Sequence, residues 1–203
     1  GMQIVRYSPQ ERNIPGFCGE DALIRFYKDP LEWKDWTGDD PVVTNISQDM
    51  AGRDPFTNWR FWEVATRGLA RMPAGPRSER IGGLGVLSMS EMHELLRSAR
   101  CYLYTGTQPA SYTLGLIEAM MTGTPVVSIG PGWMRMLPYS GSLFEGHLIA
   151  PLSSDRPDAA RAYLVRLLAD HVHAREISAV GRATAIELFG ILRIASEWRE
   201  FLG

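Results

Sequence analysis

Cysteine is scarce in this chain: Cys18 and Cys101 are the only two among 203 residues. Two thiols so far apart form neither a disulfide framework nor a zinc pattern, and they point to a reducing compartment. A strong excess of either charge is missing as well. Lys and Arg number 21 against 23 Asp and Glu, a net charge of −2, which argues against a partner read through a phosphate backbone. No run of about 18 apolar residues is present to span a bilayer. The start Met2-Gln3-Ile4-Val5-Arg6 does not read as a secretory leader. There is no Gly-x-Ser-x-Gly elbow, no Gly-Lys-Ser/Thr phosphate loop and no heptad or basic run. His171 and His173 stand two apart, where helical metal ligands need three or four. What remains is ordinary for a globular protein, 45% apolar and 22% charged, with length for one domain and an appendage.

The stretch from Pro109 to Ser128 organises the rest. Ser111 or Thr113 suits a helix cap, Gly123 suits the left-handed residue that ends a helix, and Pro125 forbids resumption. Val126-Val127 then opens a buried strand. Leu114, Ile117, Glu118 and Met121 fall at i, i+3, i+4 and i+7, so a carboxylate shares a face with three apolar side chains. A buried carboxylate needs a donor. Three readings are open: Glu118 accepts from a ligand's hydroxyls, it pairs with an arginine, or the helix is rotated so that it sits at the edge of the stripe.

Strand-like and helix-like pieces alternate along the chain. This predicts an α/β fold, Rossmann-like, with a mostly parallel sheet of about five or six strands and helices on both faces. Gln3–Tyr7 and Ala22–Tyr27 read as extended pieces in an aromatic-rich stretch, residues 1–40, whose tryptophans Trp33 and Trp36 are expected to dock on the domain. Pro41–Ile46 reads as the first core strand, Ser47–Thr57 as a polar loop, Asn58–Arg71 as a helix and Met72–Glu79 as a turn region. The glycines from Gly82 to Gly85 lack the spacing of a dinucleotide fingerprint. Ser88 and Glu91 form a capping box before a Met92, Leu95, Leu96, Ala99 stripe. Cys101–Thr105 is the next strand, Leu148–Ile149 a last one, and three helices follow. Ligands of open α/β sheets bind beyond the carboxyl ends of the strands, and a helix start near Thr113 offers free N–H groups to an anion.

Glu118-Ala119-Met120, Gly123 and Pro125-Val126-Val127 resemble the signature of the C-terminal, nucleotide-sugar-binding domain of GT-B-fold glycosyltransferases, family 4 or group 1. That family carries a further glutamate eight residues before the one matched by Glu118, where this chain has Ala110. The likeness spans about residues 40 to 203, with Phe189 and Trp198 matching an aromatic pair near the terminus. It implies a retaining glycosyltransferase half that binds a UDP- or GDP-sugar donor without a metal or other cofactor, and a division into a 1–40 arm or linker and a 41–203 donor-binding domain. It further implies that Glu118 holds the ribose hydroxyls and that Ser111, Tyr112, Thr113 and Leu114 hold the diphosphate, although Tyr112 also reads as a packing residue. Arg53, with Arg60 second, adds positive charge, and the turn at Leu87-Ser88 faces the base. The implied partner is an acceptor-binding domain or chain, without which this chain turns over little; the implied location is cytoplasmic or membrane-peripheral. Two alternatives are a non-catalytic nucleotide-sugar-binding or assembly module, which Ala110 favours, and a sugar-nucleotide epimerase-like half.

Overall fold

The computed structural model describes residues 1–13, 16–107, 114–134 and 146–203. Two short strands, β1 (Val5–Arg6) and β2 (Ala22–Leu23), pair in parallel apart from the main sheet. The main sheet holds β3 (Asp40–Ile46), β4 (Arg71–Ala74), β5 (Ala99–Tyr104), β6 (Val126–Ile129) and β7 (Leu152–Ser154). Its order is β4-β3-β5-β6-β7 and every pairing is parallel. The helices are α1 (Trp59–Thr66), α2 (Met89–Ser98), α3 (Leu114–Thr122), α4 (Pro131–Met134), α5 (Gly146–Ile149), α6 (Pro157–Ala169), α7 (His171–Phe189) and α8 (Ile191–Leu202). α1 packs with α6 in one layer, and α3 packs with α2 and α7 in the other.

This is the α/β architecture expected from the alternation. β5 and β6 are central because their runs, Cys101-Tyr102-Leu103-Tyr104 and Val126-Val127-Ser128-Ile129, are buried on both faces. Gly123 ends α3 with φ +101°; its N–H reaches the Met120 carbonyl and the Thr124 N–H the Ala119 carbonyl, both at about 3 Å. That is a Schellman stop.

Several sequence expectations give way. The region 72–79 opens with β4 rather than a turn: Pro73 is tolerated because β4 is an edge strand. α1 therefore ends at Thr66, short of the expected Arg71. Leu148–Ile149 belongs to α5, and the last strand is β7. α3 carries no single apolar stripe. Leu116 to Thr122 is buried all round and Leu114 is its exposed start, as in a helix sunk between a sheet and other helices.

Residues 28–36 pack onto this body. Trp33 is buried within the main core. Arg182 of α7 donates to the carbonyls of Trp33 (2.7 Å) and Pro30 (2.8 Å), and Trp36 Nε1 donates to the Ala99 carbonyl at 2.8 Å.

Candidate functional site

The chain runs from β3 outward to β4 and then returns to the other side of β3 as β5. Connections diverge there, and the carboxyl ends of β3 and β5 border the crevice where doubly wound sheets bind ligands. Three pieces meet at it. The first turn of α3 lies against the end of β3: a β-carbon on Gly115 would stand 3.1 Å from Tyr102 Oη and 3.4 Å from Ile46 Cβ. Tyr102 Oη in turn accepts from the Ile46 N–H at 3.1 Å.

The second piece is the loop after β4. Gly75 N–H donates to Gly85 (2.7 Å), Leu84 N–H to Pro73 (2.9 Å) and Gly85 N–H to Ser78 Oγ (2.8 Å), so the loop is knitted back on itself. Between it and β3 lies a hollow of about 160 Å³, walled by Ile46, Ala74, Pro76, Val86, Leu87 and Met92, with Gly75 at its edge. Sites for whole drug-sized ligands run from about 300 to 1,000 Å³. This space therefore has room for one flat ring system. Its wall is apolar, as ring burial needs. Leu87, expected at the base, lines it. Ser47 Oγ, at the end of β3, is buried without a hydrogen-bond partner among the described residues.

The third piece is the loop after β3. Asp49 is buried in left-handed backbone and receives Arg77 Nη1 at 2.7 Å. The hydrogen bond from Arg77 holds its carboxyl below the usual carboxylate range, with Arg80 adding to the same effect. The Arg53 N–H donates to the Asp49 carbonyl at 3.0 Å. Arg77 and Arg80 thus bring positive charge to one acid, and the backbone of Arg53 closes the same loop. Arg60 is exposed and pairs with Asp54 at 3.5 Å. Arg77 and Arg80 escape the sequence reading, because nothing in Arg77-Ser78-Glu79-Arg80 says that the loop after β4 folds back to Asp49.

Ser88 caps α2. Its Oγ accepts from the Glu91 N–H (3.3 Å), and Glu91 Oε2 accepts from Ser88 N–H (2.7 Å) and Oγ (2.6 Å). These bonds, the hydroxyl's first, hold the Glu91 carboxyl below its ordinary value. A carboxyl so depressed contributes stability above the ordinary carboxylate range and loses it as pH falls through its folded value. Ser88→Ala is expected to cost about 1 kcal/mol through the lost cap. It should also move the Glu91 midpoint upward in an NMR titration. An unmoved midpoint would mean that the hydroxyl is not what holds the acid.

Glu118, on α3, is 5% exposed. Its Oε1 receives Lys28 Nζ at 2.5 Å. Of the readings left open, the structure shows an ion pair, made by a lysine from the N-terminal stretch rather than an arginine. Lys28 is itself fixed: its N–H donates to the Phe189 carbonyl at 2.9 Å, and its Nζ lies 5.0 Å from the Trp33 ring centroid. Burial, reinforced by the Glu118 charge, pushes the Tyr102 hydroxyl well above its ordinary range, so it stays a neutral donor and acceptor. Leu114 opens α3 and is exposed. Ala110, Ser111, Tyr112 and Thr113 lie outside the described residues.

Among the described residues no cluster of His, Cys, Asp and Glu could hold a metal, and no helix is long and apolar enough to cross a membrane. His171 Nε2 lies 2.9 Å from the Thr37 carbonyl and His173 faces Glu176, both structural contacts.

No protein-family model matches the sequence, and no curated protein does. Solved structures match by fold. Sucrose-phosphate synthase from Thermosynechococcus elongatus superposes with a TM-score of 0.71 at 16% identity, covering 98% of this chain and 57% of that one. Anabaena HepE in complex with UDP-glucose gives 0.73 at 15%, covering 98% and 63%. WaaG, a glycosyltransferase involved in lipopolysaccharide biosynthesis, gives 0.62 at 12%, covering 97% and 62%. The chain therefore has the fold of one half of the GT-B architecture, and it spans less than two thirds of the length of these structures.

Proposed function

We propose that this chain is the donor-binding part of a group 1-type glycosyltransferase and binds a nucleotide-diphosphate sugar, of the UDP or GDP class, for glycosyl transfer. One observation carries the reading: an apolar hollow sized for a ring lies beside the end of β3 in a GT-B half, where the start of α3 packs on Ile46 and Arg77 pairs with Asp49 in the neighbouring loop. In this reading the base enters the hollow beside Leu87. The diphosphate lies between the α3 start and Arg53, Arg77 and Arg80, where helix dipole and guanidinium charge stabilise a leaving anion. Ser111, Tyr112 and Thr113, which precede Leu114 in the sequence, are given the same role by the family resemblance. The ribose hydroxyls reach Glu118. Residues 1–40 are the arm leading from an acceptor-binding domain or chain, residues 41–203 the donor domain, and the chain by itself binds donor while transferring little. The two free cysteines, Cys18 and Cys101, support a reducing, cytoplasmic setting for it.

A panel of nucleoside diphosphates and nucleotide sugars in a thermal-shift assay tests this. A ligand at a hundred times its dissociation constant should stabilise the fold by about 2.7 kcal/mol. A flat response to every UDP and GDP compound would overturn the proposal. Ala110 favours a second reading, a module that binds donor without chemistry. It predicts the same shift and no hydrolysis or transfer when an acceptor half is supplied.

A further inference from the structure

We infer that Lys28 is a positioning residue of the donor site: its ammonium holds the Glu118 carboxylate charged and oriented so that it can accept hydroxyls. This rests on the ribose role proposed for Glu118. The family resemblance carries the glutamate alone and begins near residue 40, so nothing in it assigns the lysine.

Glu118 is almost wholly buried, on a helix surrounded by Leu116, Ile117, Ala119, Met120 and Met121. An unpaired carboxylate there would take up a proton, and a protonated acid loses half its value as a hydroxyl acceptor. Lys28 prevents this while engaging only Oε1. A carboxylate has about four lone-pair sites, so acceptor capacity for a pair of vicinal hydroxyls remains. The lysine's backbone is held by Phe189, its ammonium lies over the Trp33 ring, and the Trp33 carbonyl is held in turn by Arg182. An ammonium fixed at both ends orients the acid rather than following it. Residues 28–33 are therefore part of the site's support and not only a tether.

Among the described residues, the titratable groups near the pair are Tyr102 of β5, Arg182 of α7 farther along α3, and His93 of α2 with Glu32 on the far side of Trp33. All are kept in the variants below, so their titration cancels in a comparison with wild type.

Isothermal titration with UDP-glucose, or GDP-mannose if only that binds, tests the inference at about pH 8 and about pH 6 in the full chain. Neither ligand's diphosphate diester titrates in that interval. Wild type and Lys28→Arg should bind alike and change little between the two. Lys28→Met should bind about tenfold more weakly at the lower pH, the worth of a hydrogen bond to a charged group, and recover towards the higher pH as Glu118 ionises. A role in folding alone would lower the melting temperature without giving an affinity that depends on pH. Should Lys28→Met fail to fold, Lys28→Met/Glu118→Gln replaces the pair by two uncharged groups and should bind as Glu118→Gln does. Further weakening in the double variant would mean that Lys28 touches the ligand itself, which overturns the inference. So would Lys28→Met binding like wild type while Glu118→Gln loses affinity. If Glu118→Gln also binds like wild type, or nothing binds wild type, it is the donor-site reading that fails.

Discussion

Trp33→Ala is expected to lower the unfolding free energy by about 3–5 kcal/mol. Trp33 lies in the aromatic-rich N-terminal stretch, yet it is 2% exposed and belongs to the main core. Lys28 Nζ lies 5.0 Å from its centroid and the His93 ring 4.0 Å from it. Removing the indole leaves a cavity that neither neighbour can fill: His93 is fixed on α2, and Lys28 is tied to Glu118. In a domain of this size each kcal/mol moves the melting temperature by about 2–4 °C, so a fall of roughly 10 °C should appear in a scan. Trp198→Ala on the half-exposed face of α8 serves as control and should cost far less. Denaturation curves in urea decide the matter. If Trp33→Ala unfolded at the wild-type midpoint, residues 28–36 would merely rest on the domain, and the support argued for Glu118 would be lost with them.

That prediction also shows where sequence legibility ends. The sheet and most helices could be read because their information is local. Ser88 and Glu91 announce α2, Gly123 and Pro125 end α3, and the run from Cys101 to Tyr104 is oily on both faces. β4 was hidden because Pro73 and Gly75 look like turn residues, and only its place at the sheet edge makes a proline harmless. α5 was hidden because two adjacent apolar residues, Leu148-Ile149, fit a strand as well as a helical turn. The site was less legible than the fold for the same reason. Glu118 could be singled out as an acid in an apolar setting, but its partner lies 90 residues earlier in the chain. The pairing depends on how Lys28 is anchored at the end of α7, which no spacing rule encodes. Arg77 reaches Asp49 across 28 positions for a like reason, since a loop must first fold back on its own carbonyls.

Gly75→Ala is expected to abolish nucleotide binding, although it adds a single methyl group. Gly75 has φ +114°, and a β-carbon there would stand 2.3 Å from the Ser47 carbonyl oxygen. Both partners are backbone, so neither can rotate away. The loop after β4 must lift from the end of β3, and the hollow between them, edged by Gly75 itself, loses its shape. The intrinsic cost of the left-handed conformation for alanine is about 1–2 kcal/mol, and the overlap adds to it. Gly68→Ala separates the two contributions. Gly68 also has a positive φ, +72°, but a β-carbon there meets nothing within 4 Å. It should therefore show the conformational cost alone and keep the full thermal shift with whichever UDP or GDP sugar stabilises wild type. Gly75→Ala should melt lower than Gly68→Ala and show no ligand-induced shift. If it bound the nucleotide sugar as wild type does, the ligand would lie elsewhere along the crevice, and the role given to the hollow beside Leu87 would be wrong.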